Sequence, residues 1–284
     1  MENLVNLLFE TKALKISPQD KPFWLTSGLL SPYYINTQFL YGSEAKANEL
    51  LSFIEIAKED ILNCPTEIYK KIAENYEQDK IYKQVVDMVV DYVHANIDLT
   101  EIQYISGGER RDWFFSMPVA NLLNIPHITI YKDQTTVVSN PDFTENTNIS
   151  DLKQAKVLHI ADLITEASSY ERAWIPAIKN LNATIVSSLA IVDRLQGGTE
   201  LLNSNNIDSY SLIQVNESLF DKAIAIGAIN KEQYDMLLDF MHDPIGCMKE
   251  FIKNHPEFME GQLNSADEKT VKRAQLCQEK GFYN

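Results

Sequence analysis

With 284 residues the chain is long enough to bury a large core in one domain or two, and its 45% apolar and 23% charged residues are those of an ordinary globular protein. Disorder is excluded as a general description, and no apolar run approaches the roughly 20 residues of a membrane-spanning helix. A net charge of -15 argues against a nucleic-acid surface, which needs clustered Lys and Arg, so any small anionic substrate requires a local basic site.

Leu4, Leu7, Leu8 and Leu14 predict an amphipathic helix over residues 3–14. Its apolar run is flanked by Glu2 and Glu10, the wrong pattern for a signal peptide, so a cytoplasmic protein is expected. Phe23 to Asn36 reads as two short strands around a turn at Gly28, broken by Pro32. Tyr33 and Tyr34 in this segment suit ordinary strand packing as well as a ligand contact. Helices are expected from Ser43 to about Asp60, from Pro65 to about Tyr76 and from Lys80 to Asn96, the last with Ile81, Val85, Val89 and Val93 on one face.

Ile102 to Ser106 is a predicted strand, followed by Gly107-Gly108-Glu109-Arg110-Arg111-Asp112 and a helix from Trp113. Glycines that let backbone approach a ligand, beside forked guanidinium groups, form an anion site at a strand's carboxyl end. The alternative is a solvated ion-pair cluster of Glu109, the arginines and Asp112, which stabilises little. Pro126 to Tyr131 is the next strand, ending in Lys132-Asp133. Gln134 to Asp151 is polar and has the length of a lid or a disordered segment. After Lys132 it carries Asp142, Glu145 and Asp151, with no Lys, Arg or His before Lys153.

Val157, Leu158 and Ile160 lead to Asp162 as a buried strand, and the Thr165–Ser169 turn then opens a helix that runs to Leu181. In an open α/β sheet that turn lies where backbone N–H groups and a helix end can hold phosphate. Ser168 with Glu171 also fits a capping box, which needs no ligand. Ile185 to Val192 is a buried strand ending in Asp193-Arg194; Leu195 to Leu202 turns into a helix, and Ile207 to Val215 is the last strand. Beyond Glu217 the pattern is helical, with Tyr234, Leu237, Leu238 and Met241 on one face, which suits packing or a dimer contact. Cys64, Cys247 and Cys277 lack metal spacing, and the five histidines show no ligand pair, so no metal site in the protein is expected. His159, inside an apolar strand, reads as a core residue.

Alternating strands and helices predict an α/β fold with a mostly parallel central sheet flanked by helices, a small N-terminal hood and a helical extension. The expected division is 1–216, hood included, and 217–284 packed on the same domain.

Three stretches resemble the type I phosphoribosyltransferases, and the orotate phosphoribosyltransferases among them. VLHIADLITEASS is similar to their phosphoribosyl-pyrophosphate motif, with Asp162, Leu163, Ile164, Thr165 and Ser168 matching. The segment SGLLSPYY resembles the hood, and Asp193-Arg194-Leu195-Gln196-Gly197-Gly198-Thr199-Glu200-Leu201 the end of the orotate enzymes. The resemblance implies transfer of ribose 5-phosphate from phosphoribosyl pyrophosphate to a pyrimidine-type base, with Mg²⁺ chelated mainly by the substrate, and a homodimer. It also implies roles: Asp162 for the ribose hydroxyls; Thr165, Ser168 and Ser169 for the 5-phosphate; Gly107, Gly108, Arg110, Arg111 and Lys132 for the pyrophosphate. Tyr33, Tyr34 and Arg194 would face the base, although Arg194 suits pairing with Asp193 or Asp162 as well. The departures are Ala161 for an acid, Glu166 and Ala167 for a small residue and Gly, Thr26 for Lys, and an acidic lid. They fit a second reading, a non-catalytic nucleotide or sugar-phosphate binder. A third is a related transferase or hydrolase with another acceptor.

Overall fold

The computed structural model describes residues 2–282, and they form two compact units. Among them the first comprises residues 2–13 and 37–215, the second residues 14–36 and 216–282. The hood segment therefore groups with the C-terminal helices instead of with the sheet, a correction to the expected division at residue 216. The cause is visible inside the second unit, where the apolar hood side chains find their partners. The Trp24 ring stacks on Phe258 at 6.0 Å and its Nε1 donates to Gln262 Oε1 at 2.8 Å. Gly28, at φ +83°, lies so close to the last helix that a Cβ would meet Cys277 N at 3.0 Å. Glycine is required there on both counts.

In the first unit, α1 (Glu2–Glu10) is shorter than the apolar pattern predicts. The chain turns at Thr11–Lys12, and Leu14 begins β1 (Leu14–Ile16) in the second unit, which the sequence reading missed. There β1 pairs with β4 (Tyr33–Ile35), and β2 (Phe23–Trp24) pairs with β3 (Leu30–Ser31) around the expected turn. The first unit resumes with α2 (Glu44–Ala57), α3 (Cys64–Gln78) and α4 (Lys80–Asn96), close to the three expected helices. Ser43 caps α2 through Lys46 N, and Asp79 caps α4 through Tyr82 N. Helix α3 buries Cys64, Ile68 and Ile72.

A seven-stranded sheet follows in the order β11-β10-β9-β5-β6-β7-β8. Its parallel part is β5 (Tyr104–Gly108), β6 (His127–Ile130), β9 (Ala155–Ile164), β10 (Ala183–Asp193) and β11 (Asp208–Gln214). Helix α5 (Trp113–Leu122), wholly buried from Trp113 to Ala120, connects β5 to β6. Then β7 (Thr136–Ser139) and β8 (Asn146–Thr147) add antiparallel strands at one edge. The stretch expected as a lid or a disordered segment thus carries two strands of the sheet. Val137 and Val138 are buried, and Phe143 is 1% exposed with its ring stacked 4.3 Å from Tyr69. These apolar residues punctuate a polar run and were outvoted by its Asn, Thr and Asp content.

After β9 the chain forms a wide helical turn over Tyr170–Trp174 and then α6 (Ile175–Asn180); α7 (Gly198–Ser204) follows β10. The second unit closes with α8 (Glu217–Ala225), α9 (Lys231–His242), α10 (Pro244–Asn254), α11 (Pro256–Leu263) and α12 (Glu268–Glu279). Among the described residues no helix is long and apolar enough to cross a membrane. The order of the sheet reverses between β5 and β9, because the chain runs from β5 outward to β6 and later from β9 outward to β10 on the other side. In such sheets the crevice at the carboxyl ends of the two diverging strands is the place for a ligand.

Candidate functional site

A cavity of about 310 Å³ occupies that position in the first unit. It is lined from β5 and its turn by Glu109, Arg110, Arg111 and Asp112, from the end of β6 by Lys132, and from β9 and its turn by Asp162, Thr165, Ala167, Ser168 and Ser169. Seven of the nine residues expected at the phosphate, pyrophosphate and ribose line one cavity, namely Arg110, Arg111, Lys132, Asp162, Thr165, Ser168 and Ser169; Gly107 and Gly108 do not. Glu166, the carboxylate that threatens the phosphate turn, is exposed and is not among the lining residues.

The turn after β9 is built for an anion by its backbone. The N–H groups of Tyr170 and Glu171 donate to Ala167 O at 3.0 and 3.3 Å, which starts the helix. Among the described residues the N–H groups of Ala167, Ser168 and Ser169 have no acceptor within the chain. They are the orphan donors of a helix start, where an anion is stabilised. No capping box occupies them: Ser168 instead receives Arg172, its O at 3.1 Å from Nε and its Oγ at 3.3 Å from Nη2.

Ala167 has φ +52°, the left-handed conformation that glycine adopts freely. An alanine held there is strained by about 1 kcal/mol. Ala167→Gly is therefore expected to leave stability unchanged or raise it by up to about 1 kcal/mol in urea denaturation, after the added unfolded-chain entropy of glycine is offset. A loss of about 1 kcal/mol, the usual result for an unstrained alanine, would contradict the strain.

Gly107 and Gly108 need correction. They belong to β5 itself, and each is glycine because a neighbour presses on the strand: a Cβ at Gly107 would overlap the Ser116 hydroxyl, and one at Gly108 the Trp174 ring. Their backbone groups are also taken. Gly107 O accepts from Trp113 Nε1 at 3.0 Å, and Gly108 N donates to Asp112 Oδ2 at 3.0 Å. Neither is among the residues that line the cavity. The Glu109–Arg110 peptide beyond them is cis.

Asp112, which the sequence offered only as a member of a charged cluster, ties the two loops together. Its Oδ1 accepts Asp162 N–H at 2.9 Å while Oδ2 accepts from Gly108. Behind it lies His159, fully buried, 3.4 Å from Asp112 Oδ2 and held by Ser106 Oγ at 2.9 Å, a core histidine as expected. Gly198 and Asp193 brace the turn from the far side. Gly198 N donates to Thr165 O at 2.9 Å, and Asp193 accepts from Leu195 N and Thr199 Oγ1 at 2.8 and 2.9 Å. The Asp193–Thr199 stretch therefore holds up the phosphate turn. Arg194 is not among the cavity's lining residues; its backbone N–H donates to Ile164 O at 2.9 Å, and Nε and Nη2 of its side chain are buried.

Tyr33 needs the same correction. It is 4% exposed, packed 6.1 Å from Phe220 and 5.9 Å from Phe240 within the second unit, where it serves as core. Tyr34 is half-buried against Phe23 at 5.9 Å.

Three basic side chains in the cavity, Arg110, Arg111 and Lys132, face three acidic ones, Glu109, Asp112 and Asp162. Arg110 is already paired with Glu55, and Glu109 takes Lys58 at 2.7 Å and Lys132 at 3.9 Å. Arg111 has no ion pair among the described residues, which makes it the cation most available to a ligand. Asp162, 8% exposed, accepts from the Thr37 hydroxyl at 2.5 Å, a partner 125 residues away that no local pattern reveals.

Burial, and next the Asp112 carboxylate, push the Asp162 carboxyl well above the usual carboxylate range, with Arg111 opposing. A raised acid favours the folded state below its unfolded pKa, and that contribution is lost as pH rises through the folded value. Wild-type stability is thus expected to fall between pH 5 and pH 8 by about 1 kcal/mol or more relative to Asp162→Asn, measured by urea denaturation at both pH values. An identical pH dependence in both proteins would remove the raised acid.

No family model matches the chain. A curated adenine phosphoribosyltransferase from Pasteurella multocida is 26% identical over 179 residues, 58% of this chain and 97% of that protein; one from Mannheimia succiniciproducens is 25% identical over the same shares. Among solved structures, Leishmania donovani UMP synthase superposes with a TM-score of 0.57 at 18% identity over 85% of this chain, which spans 42% of that protein. The orotate phosphoribosyltransferase of Francisella tularensis gives 0.55 at 15% identity over 84% of this chain and 97% of that one; the Aeropyrum pernix enzyme gives 0.51 at 18% over 79% and 99%. With the sheet order and the cavity at its switch point, these similarities establish that the chain has the type I phosphoribosyltransferase fold.

Proposed function

We propose that the chain is a phosphoribosyltransferase that binds phosphoribosyl pyrophosphate in the cavity between β5 and β9 and transfers ribose 5-phosphate to a pyrimidine-type base. One observation carries the reading: the unclaimed amides of Ala167, Ser168 and Ser169 and the unpaired guanidinium of Arg111 line the same cavity. The amides suit the 5-phosphate, and Arg111, aided by Arg110 and Lys132, suits the pyrophosphate. Alignment of base and sugar and stabilisation of the leaving pyrophosphate then supply the rate.

Magnesium would ride on the substrate's own pyrophosphate and hydroxyl oxygens. Asp112 and Asp162 already hold amide or hydroxyl partners, which fits an ion needing little from the protein. The pyrimidine preference rests on the likeness of the Asp193–Leu201 stretch to the orotate enzymes. The curated relatives, named as adenine enzymes, make a purine the competing acceptor.

A second reading, a non-catalytic binder of a sugar phosphate or nucleotide, is favoured by the pairing of Arg110 with Glu55 and of Lys132 with Glu109, which blunts the charge available to a leaving polyanion. Calorimetry with phosphoribosyl pyrophosphate and Mg²⁺, run beside a coupled pyrophosphate-release assay with orotate and with adenine, separates them. The proposal expects saturable binding and release with orotate. Release with adenine alone moves the acceptor to purines, binding without release gives the second reading, and no binding defeats both.

A further inference from the structure

The second unit holds a larger cavity, about 510 Å³, that plays no part in the reading above. The 14–36 segment contributes Ser17, Gln19, Pro22 and Leu30 to Pro32, α9 and α10 supply most of the rest, and His255 follows α10. Met236, Phe240, Met248 and Phe251 give it an apolar wall, while Glu232, Asp235, Asp239 and Glu250, all exposed, give it an acidic rim. Among the described residues no Lys or Arg lines it. Asp235 is paired with Lys231 at 2.6 Å in a solvent-exposed contact of little consequence; the other three carboxylates have no ion pair among the described residues. Their field reaches inward: burial and then Asp239, Asp243 and Glu250 push the Cys247 thiol up.

A separate observation marks the cavity as incomplete. Ser17 lines it, is 1% exposed, and its Oγ has no hydrogen-bond partner, although its N–H donates to Pro32 O at 2.8 Å. Buried hydroxyls are ordinarily satisfied, so an orphan in a cavity wall calls for a donor or acceptor brought from outside. An acidic rim selects a donor.

We propose that this cavity binds a linear alkyl oligoamine. Glu232, Asp235 and Asp239 lie three and four residues apart along α9, neighbours separated by about 5–6 Å on one helical face, in a row about 10 Å long. A compact metal ion cannot serve such a row, and among the described residues no cluster suited to a metal exists. A chain of ammonium groups separated by short methylene runs matches it. The methylenes lie against Met236 and Met248, the faces of Phe240 and Phe251 attract the cations, and one ammonium N–H satisfies Ser17 Oγ.

The test is calorimetry of the full chain with spermidine at about 0.15 M salt, where diffuse attraction to a protein of net charge -15 is screened. The expected result is one saturable site. Its affinity falls about tenfold or more in Asp239→Asn/Glu250→Gln and about threefold in Ser17→Ala. It is unchanged in Glu59→Gln/Glu77→Gln, which removes the same charge from exposed positions of the other unit. An alkanediol of equal length does not compete. Absence of a saturable site, equal weakening by the two double variants, or competition by the diol overturns the proposal. Since both double variants alter exposed side chains, the comparison survives even if Ser17→Ala fails to fold.

Discussion

Arg111→Ala is expected to weaken binding of phosphoribosyl pyrophosphate about thirtyfold or more, a loss of about 2 kcal/mol, the range for a hydrogen bond to a charged group. What distinguishes the two arginines is availability. Three cations line the cavity, but the Arg110 guanidinium is held by Glu55, and Glu109 is shared between Lys58 at 2.7 Å and Lys132 at 3.9 Å. A ligand must compete with those carboxylates for Arg110 and Lys132, whereas Arg111 makes no ion pair among the described residues and acts on the buried Asp162 only through its field. Arg110→Ala therefore costs less, about tenfold, since the ligand never had the whole charge. Calorimetry on the two variants reads the ranking directly. A larger loss for Arg110 than for Arg111 would mean that the ligand breaks the Glu55 pair and that the charges rearrange on binding.

The largest effect on stability is expected at Gly108. Gly108→Ala drives a Cβ into the six-membered ring of Trp174, a side chain 5% exposed and stacked near His159 at 6.4 Å. Neither the strand nor the indole has room to retreat, so a cost of about 3 kcal/mol is expected, at the upper end for overpacking. Gly197→Ala is the control. Nothing lies within 4 Å of a Cβ there, and only the φ of +92° resists, so the loss is about 1 kcal/mol. Urea denaturation with unchanged m-values separates the two mechanisms, one of contact and one of backbone. Equal losses would show that Gly108 is also kept for its backbone.

Much of this was legible in the chain and some was not, for definite reasons. Apolar runs bounded by glycine or acid located the parallel strands, since a strand buried on both faces needs a continuous run. The same runs put Asp162 and the Thr165–Ser169 turn at the carboxyl edge, and a charged loop after β5 could only join them at the switch point. Glycine was harder to interpret, because its pattern does not say whether a ligand or a neighbour approaches. At Gly107 and Gly108 the neighbours are Ser116 and Trp174; at Gly198 they are Ile164, Thr165 and Ala167. Long-range partnerships were invisible: the hydroxyl of Thr37 on Asp162, Asp112 bridging two loops, and the hood's attachment to the C-terminal helices have no local signature. The sheet edge at β7 and β8 was missed because two buried valines and Phe143 are too few to dominate a polar window.

Whether the amides past Asp162 hold a sugar phosphate is decided by a crystal structure of the chain with phosphoribosyl pyrophosphate and Mg²⁺. The 5-phosphate oxygens are expected at about 3 Å from the N–H groups of Ala167, Ser168 and Ser169, with Arg111 on the pyrophosphate. A ligand bound with its phosphate elsewhere, those amides left to water, would contradict that expectation.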